Sequence, residues 1–375
     1  IPAGAPVRLD LRLAGRNIDI GGLAQSLGIR ERIRGTASLD LTVIGSLPMP
    51  AISGTAAVEN AVFDGIDFNL AQITLESRGR ATVITELTAQ RGSTSVTGSG
   101  VIQANGEIAV NFAAYNLNLN MLDNVVYPYI TLSGPAALSG RIGGTLRKPV
   151  VQAELSSSDP VVNRRPLDSL SGSIIWDGTR LTVRDASAVE GDASIRIPSM
   201  VFNPAVRYAD GSVEIRNLPV GTVIAMLRNS PVLGRPEGQG LLRFLQTLPS
   251  PFSGTLNANL AVSGPIASAK AQGTISAAGV SMGAATLERA QLAFNTSGDR
   301  LNITDATLAG PGINLSASMQ IKAGKIDGLT ANLADTTVPA LVSVMRNIPG
   351  LSLIPFGRRL QDFAAGLPAP AAGLI

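Results

Sequence analysis

From Ile313 to Ile321, apolar side chains at Ile313, Leu315, Ala317, Met319 and Ile321 alternate with Asn314, Ser316, Ser318 and Gln320. A period of two puts alternate residues on opposite faces of a strand, so this stretch predicts a strand with one apolar face. The pattern recurs along the chain. Leu9, Leu11 and Leu13 alternate with Arg8, Asp10 and Arg12, and Leu117, Leu119 and Met121 alternate with Asn118 and Asn120. Asn105-Gly106, Asp177-Gly178 and Ser297-Gly298-Asp299 punctuate it and predict tight antiparallel connections. Three short apolar segments, Leu23 to Leu27, Gly240 to Leu248 and Val338 to Met345, predict short helices, with Pro339 suited to a first turn.

The punctuation is periodic. Gly35, Gly45, Gly54 and Ala71-Gln72 recur 219 positions later as Gly254, Gly264, Gly273 and Ala290-Gln291. Gly144, Gly178, Arg180-Leu181 and Asp185-Ala186 recur 120 positions later as Gly264, Gly298, Arg300-Leu301 and Asp305-Ala306. Self-similarity at a fixed offset marks an array of structural repeats. The division that follows is residues 1–34 as the end of a preceding repeat, 35–134 as repeat one, 135–229 as repeat two, 230–252 as a helical insertion, 253–350 as repeat three and 351–375 as a Pro/Ala/Gly-rich tail.

Composition narrows the chemistry. Of 375 residues 45% are hydrophobic but only 4% aromatic, so aliphatic side chains do the packing, and only 15% are charged. The net charge of +3 and the scattered arginines give no phosphate track, so no nucleic-acid partner is expected. With no His and no Cys, Ser-His-Asp and Cys-His catalysis and the common zinc sites are excluded from this stretch. Glu190 with Asp192 reads as a solvated turn, Arg164-Arg165 as a rim ion-pairing group, and Trp176 as a packing residue at a strand end. Gly140 to Thr145 is Gly-rich but lacks the Gly-Lys-Ser/Thr ending of a phosphate loop. No enzyme, cofactor or metal site is expected.

The fold class is therefore all-β: an elongated, curled antiparallel sheet of repeats with a few short helices between units. Two arrangements satisfy the pattern. In one, a second layer covers the apolar face and closes a core, as in a structural or adhesive repeat protein. In the other, the sheet curls into a trough whose open inner face is lined by Leu39, Leu41, Val43, Leu181, Val183, Leu292, Phe294, Leu301, Ile303, Ile313, Leu315, Met319, Ile321, Leu329 and Leu333. Such a face exceeds what a soluble monomer usually leaves bare, and acyl chains are a cover of matching chemistry.

The spacing of Gly254, Gly264 and Gly273, followed by Gly298-x-Arg300-Leu301-x-Ile303-x-x-Ala306, resembles the repeats of the AsmA-like superfamily, most closely its TamB (translocation and assembly module) members from diderm bacteria. The resemblance covers most of residues 1–350 and rests on Gly spacing and alternation. It implies a β-taco-like groove that carries phospholipid acyl chains across the periplasm towards the outer membrane, in an inner-membrane-anchored protein. It also implies an Omp85-type partner and a part in outer-membrane protein assembly. The family's anchoring helix and partner-binding segment have no clear counterpart here, so the chain is expected to be an internal stretch of a longer protein.

Overall fold

The computed structural model describes residues 8–22, 33–46, 51–63, 66–78, 81–122, 130–230, 242, 245–246, 252–265, 268–282, 285–298, 300–322, 325–337, 339–340 and 342. Along them run β1 (Arg8–Asp19), β2 (Ile33–Ser46), β3 (Ala51–Phe63), β4 (Ile66–Arg78), β5 (Ala81–Arg91), β6 (Thr94–Ile102) and β7 (Ile108–Asn118). A 3₁₀ turn (Leu119–Leu122) precedes β8 (Leu132–Ser133), β9 (Pro135–Thr145), β10 (Lys148–Ser157), β11 (Val161–Val162), β12 (Arg165–Pro166) and β13 (Ser169–Trp176). Then follow β14 (Leu181–Glu190), β15 (Ala193–Asn203), β16 (Tyr208–Pro219) and helix α1 (Val220–Arg228). The series ends with β17 (Phe252–Pro265), β18 (Lys270–Met282), β19 (Ala285–Ser297), β20 (Arg300–Gly310), β21 (Ile313–Lys322) and β22 (Lys325–Leu333).

Nineteen of these strands belong to one antiparallel sheet, and β8, β11 and β12 form a small second one. The chain forms two compact units that cut across the sequence repeats. In the first, β1 to β7 pair in sequence order and β9 and β10 extend the series. In the second, β15 to β22 pair in order. Among the described residues β1 pairs with β2 alone and β22 with β21 alone, so the sheet is open. The all-β antiparallel architecture with few, short helices follows the expectation from alternation and turn spacing.

The repeat is written into the backbone. Gly35, Gly134 and Gly254, spaced at the sequence offsets, have φ of 139°, 110° and 100°. A Cβ at Gly254 would lie 2.7 Å from the Ala278 carbonyl oxygen, and one at Gly134 2.5 Å from that of Asp159. Only glycine permits both the positive φ and this approach of the facing backbone. A second repeated kink falls at Asn17, Asn116, Asn217 and Asp335, with φ of 57°, 53°, 50° and 47°, in the left-handed region that Asn and Asp tolerate best.

That kink corrects the reading of Leu117, Leu119 and Met121 as one alternating strand. The register slips after Ala114, Leu117 is buried, and β7 gives way to the 3₁₀ turn, where Leu119 is fully buried. The equivalent kinks lead into α1 at Val220 and into the helical backbone at 339–340. In α1, Arg228 lies in the last turn, where its charge suits the helix dipole, and its guanidinium donates to the Leu245 carbonyl at 3.0 and 2.6 Å. Of the helices expected from sequence, 242, 245 and 246 are helical, as are 339, 340 and 342. The expectations for Leu23 to Leu27 and for 351–375 lie outside the described residues.

Candidate functional site

Residues directly opposed across an antiparallel pair share a face, so the registers show what each face carries. In the first unit one row reads Leu13, Leu41, Gly54, Leu75, Ile84, Gly100, Val110, Ile142 and Val151. Its neighbour reads Gly15, Leu39, Ala56, Ile73, Leu87, Gly98, Phe112, Gly140 and Ala153. Nine strands contribute, and no polar side chain interrupts either row. The opposite face reads Ser38, Ala57, Gln72, Thr88, Thr97, Ala113, Ser139 and Glu154.

The second unit repeats this. Its rows are Ile215, Ala258, Ile275, Leu292, Ala306, Ala317 and Ala331, and beside them Val213, Leu260, Gly273, Phe294, Ile303, Met319 and Leu329. A third reads Leu218, Leu256, Ala277, Ala290, Leu308, Leu315 and Leu333. The back face carries Asn257, Ser276, Gln291, Thr307, Ser316 and Asn332. Phe294 sits opposite Gly273, and Phe112 lies between Gly98 and Gly140, so each ring has a glycine beside it to lie over.

Among the sequence-expected residues, Leu39, Leu41, Leu292, Phe294, Ile303, Leu315, Met319, Leu329 and Leu333 fall on these rows. Leu301 and Ile321 face each other on a further row, and Val43 sits between Leu11 and Ile52. Ile313 is placed differently. It is 3% exposed, in a closed cluster with Val280 and Leu287 that Val220 of α1 and Ala340 cover. Leu181 and Val183 are half-buried in β14, a strand of the same 19-stranded sheet. The row residues are mostly half-buried, and Leu13 and Leu329 are exposed.

Sequence reasoning missed Ile73, Leu75, Ile84, Leu87, Val110 and Phe112. The alternation in β4 was a visible signal for the first two. In β5 and β20 a bulge after Ile84 and after Ile303 resets the parity, so counting by twos loses the face.

Several polar groups among the described residues are tied into local structure. Gly140 to Thr145 is the second half of β9, and a Cβ at Gly140 would lie 2.1 Å from the Gln152 carbonyl oxygen, so this stretch is a strand and no phosphate cradle. Glu190 corrects the solvated-turn reading: its partly buried carboxylate accepts from Arg165, which acts as the ion-pairing residue expected of it. Arg12 pairs with Asp40 at 3.2 Å, and this hydrogen bond raises the Arg12 pKa further. Asp177 caps its turn: it accepts from the Arg180 N–H at 2.7 Å and from Thr179, which hold its pKa down at about 2. Among the described residues no three carboxylates gather at metal-binding spacing, and no helix is long and apolar enough to cross a membrane.

The chain matches no protein-family model, no curated protein and no solved structure.

Proposed function

We propose that the apolar sheet face binds acyl chains of phospholipids and carries them along its rows, in a bridge-like lipid transport role. The supporting observation is the unbroken apolar rows of each unit, backed by a polar face. Each acyl methylene moved from water onto such a surface gains about 0.8 kcal/mol. Apolar rows without polar interruption offer similar contacts at successive positions, so a chain bound there meets no deep trap as it slides.

The resemblance to TamB repeats supports the wider reading: a periplasmic, inner-membrane-anchored protein of diderm bacteria, moving lipid towards the outer membrane and aiding outer-membrane protein assembly with an Omp85-type partner. The rival reading is a structural or adhesive protein with a closed core. Native mass spectrometry of the gently purified protein separates them. Lipid adducts that disappear after Met319→Asp with the fold retained are expected. A lipid-free protein that unfolds on the same substitution contradicts the groove.

A further inference from the structure

We infer that the outer edge of β22 is a docking site for an extended polypeptide strand of the kind that opens each repeat. This inference stands whether or not the apolar face carries lipid. β1, β7, β16 and β22 are equivalent strands, each leading into one of the four repeated kinks at Asn17, Asn116, Asn217 and Asp335. In the first three, the strand that follows pairs antiparallel along one edge: β2, β9 and β17 respectively. For β22 that edge has no partner among the described residues, and Asp327 through Asn332 are all exposed.

One position shows the consequence. Val110 of β7 lies between Gly100 and Ile142 and is 7% exposed. Its equivalent Leu329 has Met319 on one side only and is 51% exposed. An unpaired strand edge offers a row of free N–H and C=O groups, and adding a strand satisfies them while alternate side chains set specificity.

The three occupied edges agree on the register. Leu11 faces Val43, Val110 faces Ile142 and Gly211 faces Val262. Ile18 faces Ala37, Leu117 faces Ala136 and Leu218 faces Leu256. Carried to β22 at the repeat offsets, they put the residue equivalent to Val262 opposite Leu329, that of Ala258 opposite Leu333 and that of Leu256 opposite Thr336. The occupant is thus an extended segment with a leading Gly and alternating apolar residues, running antiparallel to β22.

The chain has no cysteine, which makes a disulfide test clean. Directly opposed residues in an antiparallel pair lie within disulfide reach. The full chain carrying Leu329→Cys is mixed with a synthetic peptide of the β17 sequence, Ser253 to Pro265, bearing a single Cys at the Val262 position. The expected result is an adduct formed at least tenfold faster than with Cys at the Ala261 position or with a scrambled peptide. Unmodified peptide should also slow hydrogen exchange in β22 of the unsubstituted protein. Equal trapping at both positions, absence of an adduct, unchanged exchange in β22, or a disulfide-linked dimer of the Leu329→Cys chain in place of the adduct would overturn the assignment.

Discussion

The cluster of Val280, Leu287 and Ile313 and the row of Phe294, Ile303, Met319 and Leu329 lie in the same unit and are built from similar side chains. Their surroundings differ. The cluster sits at the strand ends where α1 and the 339–340 segment cover it, and Ala277 and Leu308 pack against it. The row crosses β19 to β22 and is half-buried to exposed. Burial here follows from where the chain turns helical rather than from hydrophobicity. The second unit closes a small core at this helical end, and its apolar rows are joined by cross-strand pairing.

The contrast can be tested, and the largest effect is expected inside the cluster. Ile313→Asp places a carboxylate without a partner in an aliphatic core and should cost about 3–5 kcal/mol, read as a lowered urea midpoint by circular dichroism. Ile313→Ala should cost about 2–4 kcal/mol through the lost transfer and the cavity. The contrast breaks if Met319→Asp, on the row, costs as much as Ile313→Asp.

Next comes the backbone that forms the closed end. Gly254→Ala combines a φ of 100° with a Cβ 2.7 Å from the Ala278 carbonyl oxygen, and should cost about 1–3 kcal/mol. Gly178→Ala, at a φ of 91° with open space around it, should cost less in the same denaturation assay, because it lacks the collision.

On the row, Met319→Gln should change stability by about 1 kcal/mol or less, since partly exposed positions tolerate polarity. The same variant should lose most of any co-purified lipid in native mass spectrometry. A stable variant with unchanged lipid content would separate the row from lipid binding.

Asp177 gives the smallest effect. Its folded pKa is lowered to about 2 by the Arg180 N–H and Thr179 hydrogen bonds. The turn's stabilisation by the carboxylate is therefore full above the unfolded value, and is lost as the pH falls through that lowered pKa. A carboxyl ¹³C titration should show a midpoint of about 2, and a midpoint near the ordinary Asp value would refute the capping role.

Much of this was legible in sequence because period-two alternation and glycine spacing are direct imprints of pleat and turn. Leu301, Ile303, Leu315 and Met319 were placed by alternation alone, and Gly35 and Gly254 by offset. Two kinds of information were not. The bulges after Ile84 and Ile303 shift parity, so later positions were harder to assign. Ile313 alternates in step with Leu315 and Met319, yet it is buried, because coverage depends on helices that follow other strands. The kinks at Asn17, Asn116, Asn217 and Asp335 could have been found from their spacing, since four Asn or Asp residues precede the four turns out of the sheet.

If the apolar rows meet lipid, the back face of the same strands should not. A photoreactive side chain placed at Met319 and, separately, at the adjacent Gln320 tests this most directly, by irradiation in cells followed by mass spectrometry of the adducts. Phospholipid adducts are expected at 319 and none at 320. Adducts to protein alone at 319, or equal lipid labelling at both positions, would contradict the lipid-bearing face.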